Sequence, residues 1–252
     1  MDVTTRFAGR VAAYTAARIG YPPAFVDHLR TAIGLAPGWT VADIGAGTGL
    51  SAEPLLDAGC RVVAVEPSDE MRAVAVATLG ARPGFSAVAG RAEATGLADA
   101  SADLAVAACA FHWFEPIATA REWRRILRGD RWAALLWTLR RPEASAFMGD
   151  FEAMVERFGT DWAQVKARYA EPAAMAALFG ADGWQVARFE SHQVVDWDGL
   201  AARVRSTSYL PGPGKPGHEA MMGALRRVYE THAIDGIVRI EYAVPMYYGR
   251  VQ

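Results

Sequence analysis

Two carboxylates and three glycines hold the most chemistry for their length in this chain. Asp43, Gly45, Gly47 and Gly49 fall within one run, VADIGAGTG at 41–49. Glu66 closes the next apolar run, RVVAVE at 61–66, about 20 residues beyond the first glycine, the interval at which such an acid meets a ribose. Glycines at a strand-to-helix turn let main-chain N–H groups approach a ligand, because no Cβ stands in the way. A carboxylate ending the following strand can accept hydrogen bonds from the two vicinal hydroxyls of a ribose. Together these residues predict a site for a nucleoside-bearing cofactor. The spacing narrows it further. A dinucleotide site is signed by GxGxxG, whereas this turn reads GxGxG, with Leu50 where the third glycine would stand. Asp43 would repel a pyrophosphate and attract an ammonium, so the acids favour a cofactor carrying an amino group and a sulfonium.

Other residues could act on a second ligand. His112, in AFHWF, follows the fourth apolar run and so falls at the ligand-binding edge of a parallel sheet. It is a candidate base, or a histidine that orients the cofactor or hydrogen-bonds the chain. Trp113 and Phe114 beside it are pocket wall or core. Arg18, Arg203 and Arg205 could clamp a carboxylate through paired N–H groups, the plainer reading being solvated arginines. Cys60, Cys109 and the five histidines show no metal-ligand spacing and there is no GxSxG, so neither a metal nor an activated serine is expected.

The elements that must position these residues follow from periodicity. Residues 22–33, PPAFVDHLRTAI, place apolar side chains at helical spacing between Pro and Gly34. TVADI (40–44), RVVAVE (61–66), FSAVA (85–89), DLAVAACA (103–110) and RWAALLWTL (131–139) are nearly unbroken apolar runs, as in strands covered on both faces. SAEPLLDAG and SDEMRAVAVATLG open with Ser and close with Gly, the residues of helix caps. EPIATAREWRRILRG predicts a helix with Pro116 in its first turn, Ile117, Ala120, Trp123 and Leu127 on one side, and Gly129 at its end. The arginines 121, 124 and 125 along it read as a solvated face. Strand and helix thus alternate as in an open α/β sheet. From 143 to 180 the alternation stops, and Phe147, Phe151, Phe158, Trp162, Tyr169 and Phe179 predict helices, either packed together or roofing an apolar cavity. VARFESHQVV (186–195) and IVRIEYAVPMYYGRV (237–251) read as late strands, Pro245 suggesting an edge or a bulge, with the loop PGPGKPG (211–217) and a helix over GHEAMMGALRRVYETH between them.

Twenty-six basic side chains against 28 acidic ones, without a basic tract, argue against a nucleic-acid partner. No run approaches the length of a membrane helix, and MDVTTRFAGR lacks the pattern of a secretory signal. With only two cysteines, a cytoplasmic protein without a membrane partner is expected.

VADIGAGTG, VAVEPSDEM and GRAEATGLADASADLAVAACAFHWF resemble motifs of the class I S-adenosylmethionine-dependent methyltransferases. RFAGRVAAYTAARIGYP, AFHWF and RSTSYLP are similar to a bacterial small-molecule branch that includes trans-aconitate-methyltransferase-like proteins. The resemblance implies a Rossmann-like α/β fold: a seven-stranded, mostly parallel sheet whose last strand is antiparallel, with an N-terminal helical lid and an inserted helical cap. It implies a single domain: lid 1–36, cofactor-binding core 37–140, helical insertion 141–181, and C-terminal strands and substrate-side segments 182–252. For the cofactor it implies Tyr14, Asp43, Gly45, Ala46, Gly47, Gly49, Glu66, Pro67, Ala92, Glu93 and Cys109, with Glu66 on the ribose and Ala92 and Glu93 at the adenine. Arg18, Trp113 and Tyr209 fall to the substrate and His112 to catalysis. Ile19 and Glu115 depart from the family's usual Pro and Asp. The expected reaction is methyl transfer to a small molecule. An NAD(P)-dependent oxidoreductase and a non-catalytic S-adenosylmethionine-binding module are the alternatives.

Overall fold

In a computed structural model of the chain, residues 18–160, 164 and 167–252 are described, and every structural statement below concerns these. Strand β1 (Thr40–Ile44) is buried from its second residue onward. It lies between β2 (Arg61–Val65) and β4 (Ala102–Ala108), parallel to both, and β3 (Phe85–Val88) and β5 (Leu127–Leu136) extend the parallel order outward. The order β3-β2-β1-β4-β5 leaves β1 and β4 flanked by strands on both sides, which is why their sequences are continuous in Val, Ile, Leu and Ala. Helices α1 (Ala24–Ile33), α2 (Ala52–Asp57), α3 (Asp69–Leu79) and α4 (Pro116–Ile126) precede or link these strands. α1 buries Phe25, Val26 and Leu29 and stops at Gly34, whose φ of 76° closes the left-handed cap. Each such buried side chain contributes about 1.5–3 kcal/mol.

The chain divides into two compact units. The larger comprises 20–138, 168–189 and 244–252 and holds all the strands above, α6 (Pro172–Phe179), the start of β7 (Trp184–Val195) and the end of β8 (Val238–Arg250). β8 pairs antiparallel with β5, from Trp132↔Arg250 to Leu136↔Met246, and β7 also pairs with β8. A hydrophobic core in this unit runs from Phe25 and Leu29 through Val41, Leu55 and Leu104 to Met246 and Tyr248. Where α6 meets the sheet, a Cβ on Gly183 would lie 1.7 Å from the Phe179 carbonyl oxygen, and one on Gly249 would lie 2.2 Å from that of Gly183. The backbones there touch without side chains between them.

The smaller unit, from 139–160 and 190–243 with Arg18 and Ile19, contains the two-residue β6 (Leu139–Arg140), α5 (Ala146–Phe158), α7 (Trp197–Arg205), α8 (His218–His232) and the remaining halves of β7 and β8. Its core gathers Phe147, Phe151, Val155, Leu200, Leu225, Ile240 and Tyr242. Phe147 and Phe151 stack with ring centroids 5.7 Å apart, so these aromatics pack against each other and against helices.

The structure departs from the sequence reading at several points. α4 ends at Ile126, not Gly129, because Leu127 already pairs with Ala102 as the first residue of β5. The register then shifts, and Gly129 (φ 57°) and Arg131 (φ 56°) turn the chain before Trp132 rejoins β4 opposite Leu104. Ile117 is exposed; the buried face of α4 is Thr119, Ala120, Trp123 and Ile126. Of the arginines along it, Arg125 is no idle surface charge: it bonds Glu122, Asp99 and the Leu97 carbonyl, while Glu122 accepts from the Thr95 amide and hydroxyl. Those bonds hold the Glu122 carboxyl down at about 2 and fasten the loop before β4 to α4. Pro245 is neither at an edge nor in a bulge. β8 has β5 along one side and β7 as a further partner, and the ladder with β5 lapses where Trp137 donates to the Pro245 carbonyl and proline has no N–H to return.

Candidate functional site

The glycine turn leaves β1 in three left-handed steps, Gly45 (φ 69°), Gly47 (φ 56°) and Gly49 (φ 87°). At Gly45 and Gly49 an added Cβ would stand 2.7 Å from Ala110 Cβ and from Leu79 Cδ1, so those positions are glycine for close packing as well as for conformation. Above Gly47 no atom of the described residues lies within 4 Å, which leaves an approach for a ligand. The turn satisfies much of its own backbone: the Gly45 and Ala46 amides donate to the Val65 carbonyl, and the Gly49 amide donates to Ala46.

Glu66 follows β2 and is 8% exposed. Its two carboxylate oxygens accept from different loops, Oε2 from the Gly47 amide at 2.9 Å and Oε1 from the Ser68 amide at 2.8 Å. Pro67 makes the bend that brings Ser68 back. Each oxygen keeps a lone pair for a further donor, so the carboxylate is fixed in orientation before any ribose arrives. Burial pushes the Glu66 carboxyl up, opposed by these two amide bonds.

Asp43 is the deepest acid of the site, fully buried in β1. Oδ2 accepts from the Ser51 hydroxyl at 2.7 Å, while Oδ1 is buried with no hydrogen-bond partner. Ser51, expected to cap α2, makes no capping bond and serves Asp43 instead. Ser68 does cap α3, accepting from the Met71 amide. Burial, opposed by the Ser51 bond and reinforced by the nearby Glu66 charge, lifts the Asp43 carboxyl to about 7. Burial is the chief cause of both shifts, and at Glu66 the Arg72 guanidinium, which donates to the Glu66 carbonyl, offsets part of it.

The end of β4 closes on the same turn. Cys109 is left-handed (φ 52°), an uncommon state for a residue with a Cβ. It is held by its own amide donating to the Leu136 carbonyl and by its sulfur accepting from the Thr138 amide. This bend starts the short 3-10 turn Phe111–Trp113 and brings the Phe114 ring to within 3.1 Å of the Cβ that Gly45 lacks. The Trp137 indole N–H donates to His112 Nδ1 at 3.3 Å. Because an indole can only donate, the bond assigns the imidazole proton to Nε2. His112 also packs on Trp113 and Tyr169, at 4.6 and 4.7 Å between centroids. Ala92 and Glu93 form the tip of the tight turn closed by Arg91 and Ala94, Ala92 being buried. Glu93 Oε1 accepts from the Glu115 amide, and the Glu115 carboxylate caps α4 on the amides of Ile117 and Ala118.

The larger unit therefore gathers Asp43, Gly45, Ala46, Gly47, Gly49, Glu66, Pro67 and Ser51 around one turn, with the β4 end and its Phe114 against it. Tyr14 lies outside the described residues, as does Trp162. Arg18 and Tyr209 belong to the smaller unit, where the Tyr209 hydroxyl meets Arg140 Nη1 at 2.9 Å and Arg140 pairs with Glu152. Sequence reasoning missed Ser51, Trp137, Arg140 and Glu152. Ser51 was legible as a hydroxyl eight residues after Asp43; the others are joined only by tertiary packing.

An open, mostly parallel α/β sheet with a glycine turn after β1 and an acid after β2 defines a Rossmann-like methyltransferase fold. Residues 42–135 match the family described as a methyltransferase domain. Over 139 residues the chain is 37% identical to uncharacterized methyltransferases of Mycobacterium bovis and Mycobacterium tuberculosis, covering 55% of this chain and 54% of each relative. The chain thus matches about half the length of these curated relatives. Among solved structures, a proposed type II methyltransferase from Anaeromyxobacter dehalogenans superposes with a TM-score of 0.59 at 25% identity, over 92% of this chain and 97% of that one. A SAM-dependent methyltransferase from Geobacter sulfurreducens, in complex with S-adenosyl-L-homocysteine, is similar in fold (TM-score 0.52, 18% identity, 96% and 98% coverage). Among the described residues no helix is long and apolar enough to cross a membrane.

Proposed function

We propose that the protein transfers a methyl group from S-adenosylmethionine to a small molecule. One observation carries the reading: Asp43, a fully buried carboxylate with one unsatisfied oxygen, stands at a glycine turn open above Gly47. A cation with N–H donors would satisfy it, and a pyrophosphate would not. Glu66, already oriented by two amides, would take the ribose hydroxyls, and Ala92 and Glu93 the adenine. When bound, the cofactor supplies an electrophilic methyl on sulfur, and displacement of that methyl demands collinear positioning more than acid or base strength. The mycobacterial sequence relatives are named only as uncharacterized methyltransferases, so the small-molecule acceptor rests on the balanced charge of this chain and on its resemblance to the small-molecule branch.

The test is calorimetric titration with S-adenosylmethionine and S-adenosylhomocysteine beside NAD and NADP, followed by incubation with a metabolite mixture and mass spectrometry for a compound gaining the mass of one CH₂. Heat with the nicotinamide cofactors and none with the sulfur nucleosides would overturn the proposal. Glu66→Ala is expected to weaken S-adenosylhomocysteine by about 1–3 kcal/mol through lost charged hydrogen bonds; an unchanged dissociation constant removes the ribose role.

His112 enters this reading as a neutral imidazole. To act as a base it would have to release Trp137 and then accept a proton at the freed Nδ1, or at Nε2 after its own proton had moved to Nδ1. His112→Ala should lower kcat while the cofactor affinity stays within twofold, and the parent kcat should stay flat across the pH range in which histidines titrate (about 5.5–7.5). A clear inflection there would restore the base, and full residual activity would leave His112 as scaffold.

A further inference from the structure

The smaller unit buries two guanidiniums, and they are treated differently. Arg140 is met by Glu152. Arg203, only 6% exposed in the last turn of α7, has no carboxylate within ion-pair distance among the described residues. Its Nε donates to the hydroxyl of the fully buried Tyr242 at 3.2 Å, with the guanidinium 5.9 Å from that ring. Nη1 and Nη2 make no hydrogen bond to a described side chain, and neither is among the sealed, unsatisfied polar atoms. They therefore open to accessible space. Arg205, two residues on, is exposed.

A guanidinium that reaches solvent only through its Nη edge and has no counter-ion is partly desolvated, and one phenolic oxygen with the weak negative end of a helix offsets only part of that cost. Such an arrangement is kept where a ligand supplies the missing charge. With Nε committed to Tyr242, the edge remaining is the Nη1/Nη2 pair, whose parallel N–H groups match a planar two-oxygen anion. One uncompensated positive charge is balanced by a singly charged group, which favours a carboxylate over a phosphate dianion.

We propose that Arg203 binds a carboxylate group of a small-molecule ligand through Nη1 and Nη2, with Tyr242 setting the orientation of the guanidinium. The proposal concerns the smaller unit by itself and stands independently of the functional reading above.

Benzoate, benzamide and phenyl phosphate are the probes, titrated into the full chain and followed by thermal shift and by NMR line broadening of the probe. Benzoate should bind in preference to both others. Arg203→Met should weaken benzoate tenfold or more, since a charge-assisted pair of bonds is lost. Because that change strands the Tyr242 hydroxyl, stability is read on the double variant Arg203→Met with Tyr242→Phe, which should melt no lower than the parent. Equal binding of benzamide, preference for phenyl phosphate, undiminished benzoate binding in the variant, or a clearly less stable double variant each overturns the proposal. S-adenosylhomocysteine is titrated in parallel: its failure to bind the parent sinks the methyltransferase reading alone, and the benzoate result stands or falls separately.

Discussion

Gly45→Ala should leave a protein that is less stable by about 2–5 kcal/mol and no longer takes up the cofactor. The fold term has two parts. An alanine held at φ 69° costs about 1–2 kcal/mol against the Cβ clash of the left-handed region. The new methyl would also lie 2.7 Å from Ala110 Cβ and 3.1 Å from the Phe114 ring, and relieving such overlap costs about 1–3 kcal/mol. Against the 5–15 kcal/mol of a typical domain, that is a large share. Both contacts belong to the segment that follows β4, so relief would push that segment away from the turn. Gly47→Ala is the control. It is equally left-handed but has open space above it, so stability should fall by only the conformational 1–2 kcal/mol while ligand approach is blocked. Chemical denaturation and calorimetry on both variants decide the matter. A Gly45→Ala protein with parental stability would show that the close approach to Ala110 is not a constraint.

Asp43→Asn should weaken S-adenosylmethionine by on the order of a hundredfold or more and yet leave the unliganded protein at least as stable at pH 8. Removing one member of a buried ion pair costs about 3–5 kcal/mol, and that loss falls wholly on the complex. In the unliganded protein the carboxylate has only the Ser51 hydroxyl, so losing its charge relieves a burial cost. The pH dependence follows from a carboxyl lifted to about 7. The folded pKa lies above the unfolded one, so the folded state holds a proton that the unfolded chain has already released. Stability from this group is therefore full below about 4, declines as pH rises toward 7, and is level above. Affinity for the cationic ligand runs the other way, rising by up to tenfold per pH unit to about 7 and then flattening, because the proton must leave before the ammonium can pair. The Asn variant should lack both slopes. Titrations from pH 5 to 8.5 on parent and variant measure this directly, and parallel slopes in the two proteins would discard the assignment.

The parts of the site that could be read from sequence are those whose function is local. GxGxG and the acid ending β2 are recognisable because a bare turn and a strand end fix their own conformation within a few residues, and β1 occupies the same Thr40–Ile44 that its apolar run marks. The helix before β5 was misjudged at its end because Leu127 looks like the next apolar residue of a helical face; only its pairing with Ala102 makes it a strand. Ser51 sits at a position suited to capping, and nothing local says that its hydroxyl turns to Asp43. The bond from Trp137 to His112 joins the ends of two strands, and the Arg140–Glu152 pair joins a two-residue strand to a helix. No periodicity predicts either. The division of the chain was beyond local reading for the same reason: two of its boundaries, 189/190 and 243/244, fall inside the unbroken strand patterns of β7 and β8.

The bare contact of Gly183 with Phe179 and of Gly249 with Gly183 bears on how this chain can evolve. Neither position tolerates even a methyl group without parting the backbones that meet there, so both should stay glycine through long divergence although neither is among the residues gathered at the cofactor turn. Invariance at 183 and 249 across descendants of this chain would record a geometric veto on drift, and mistaking it for selection on chemistry would send mutagenesis to the wrong end of the sheet.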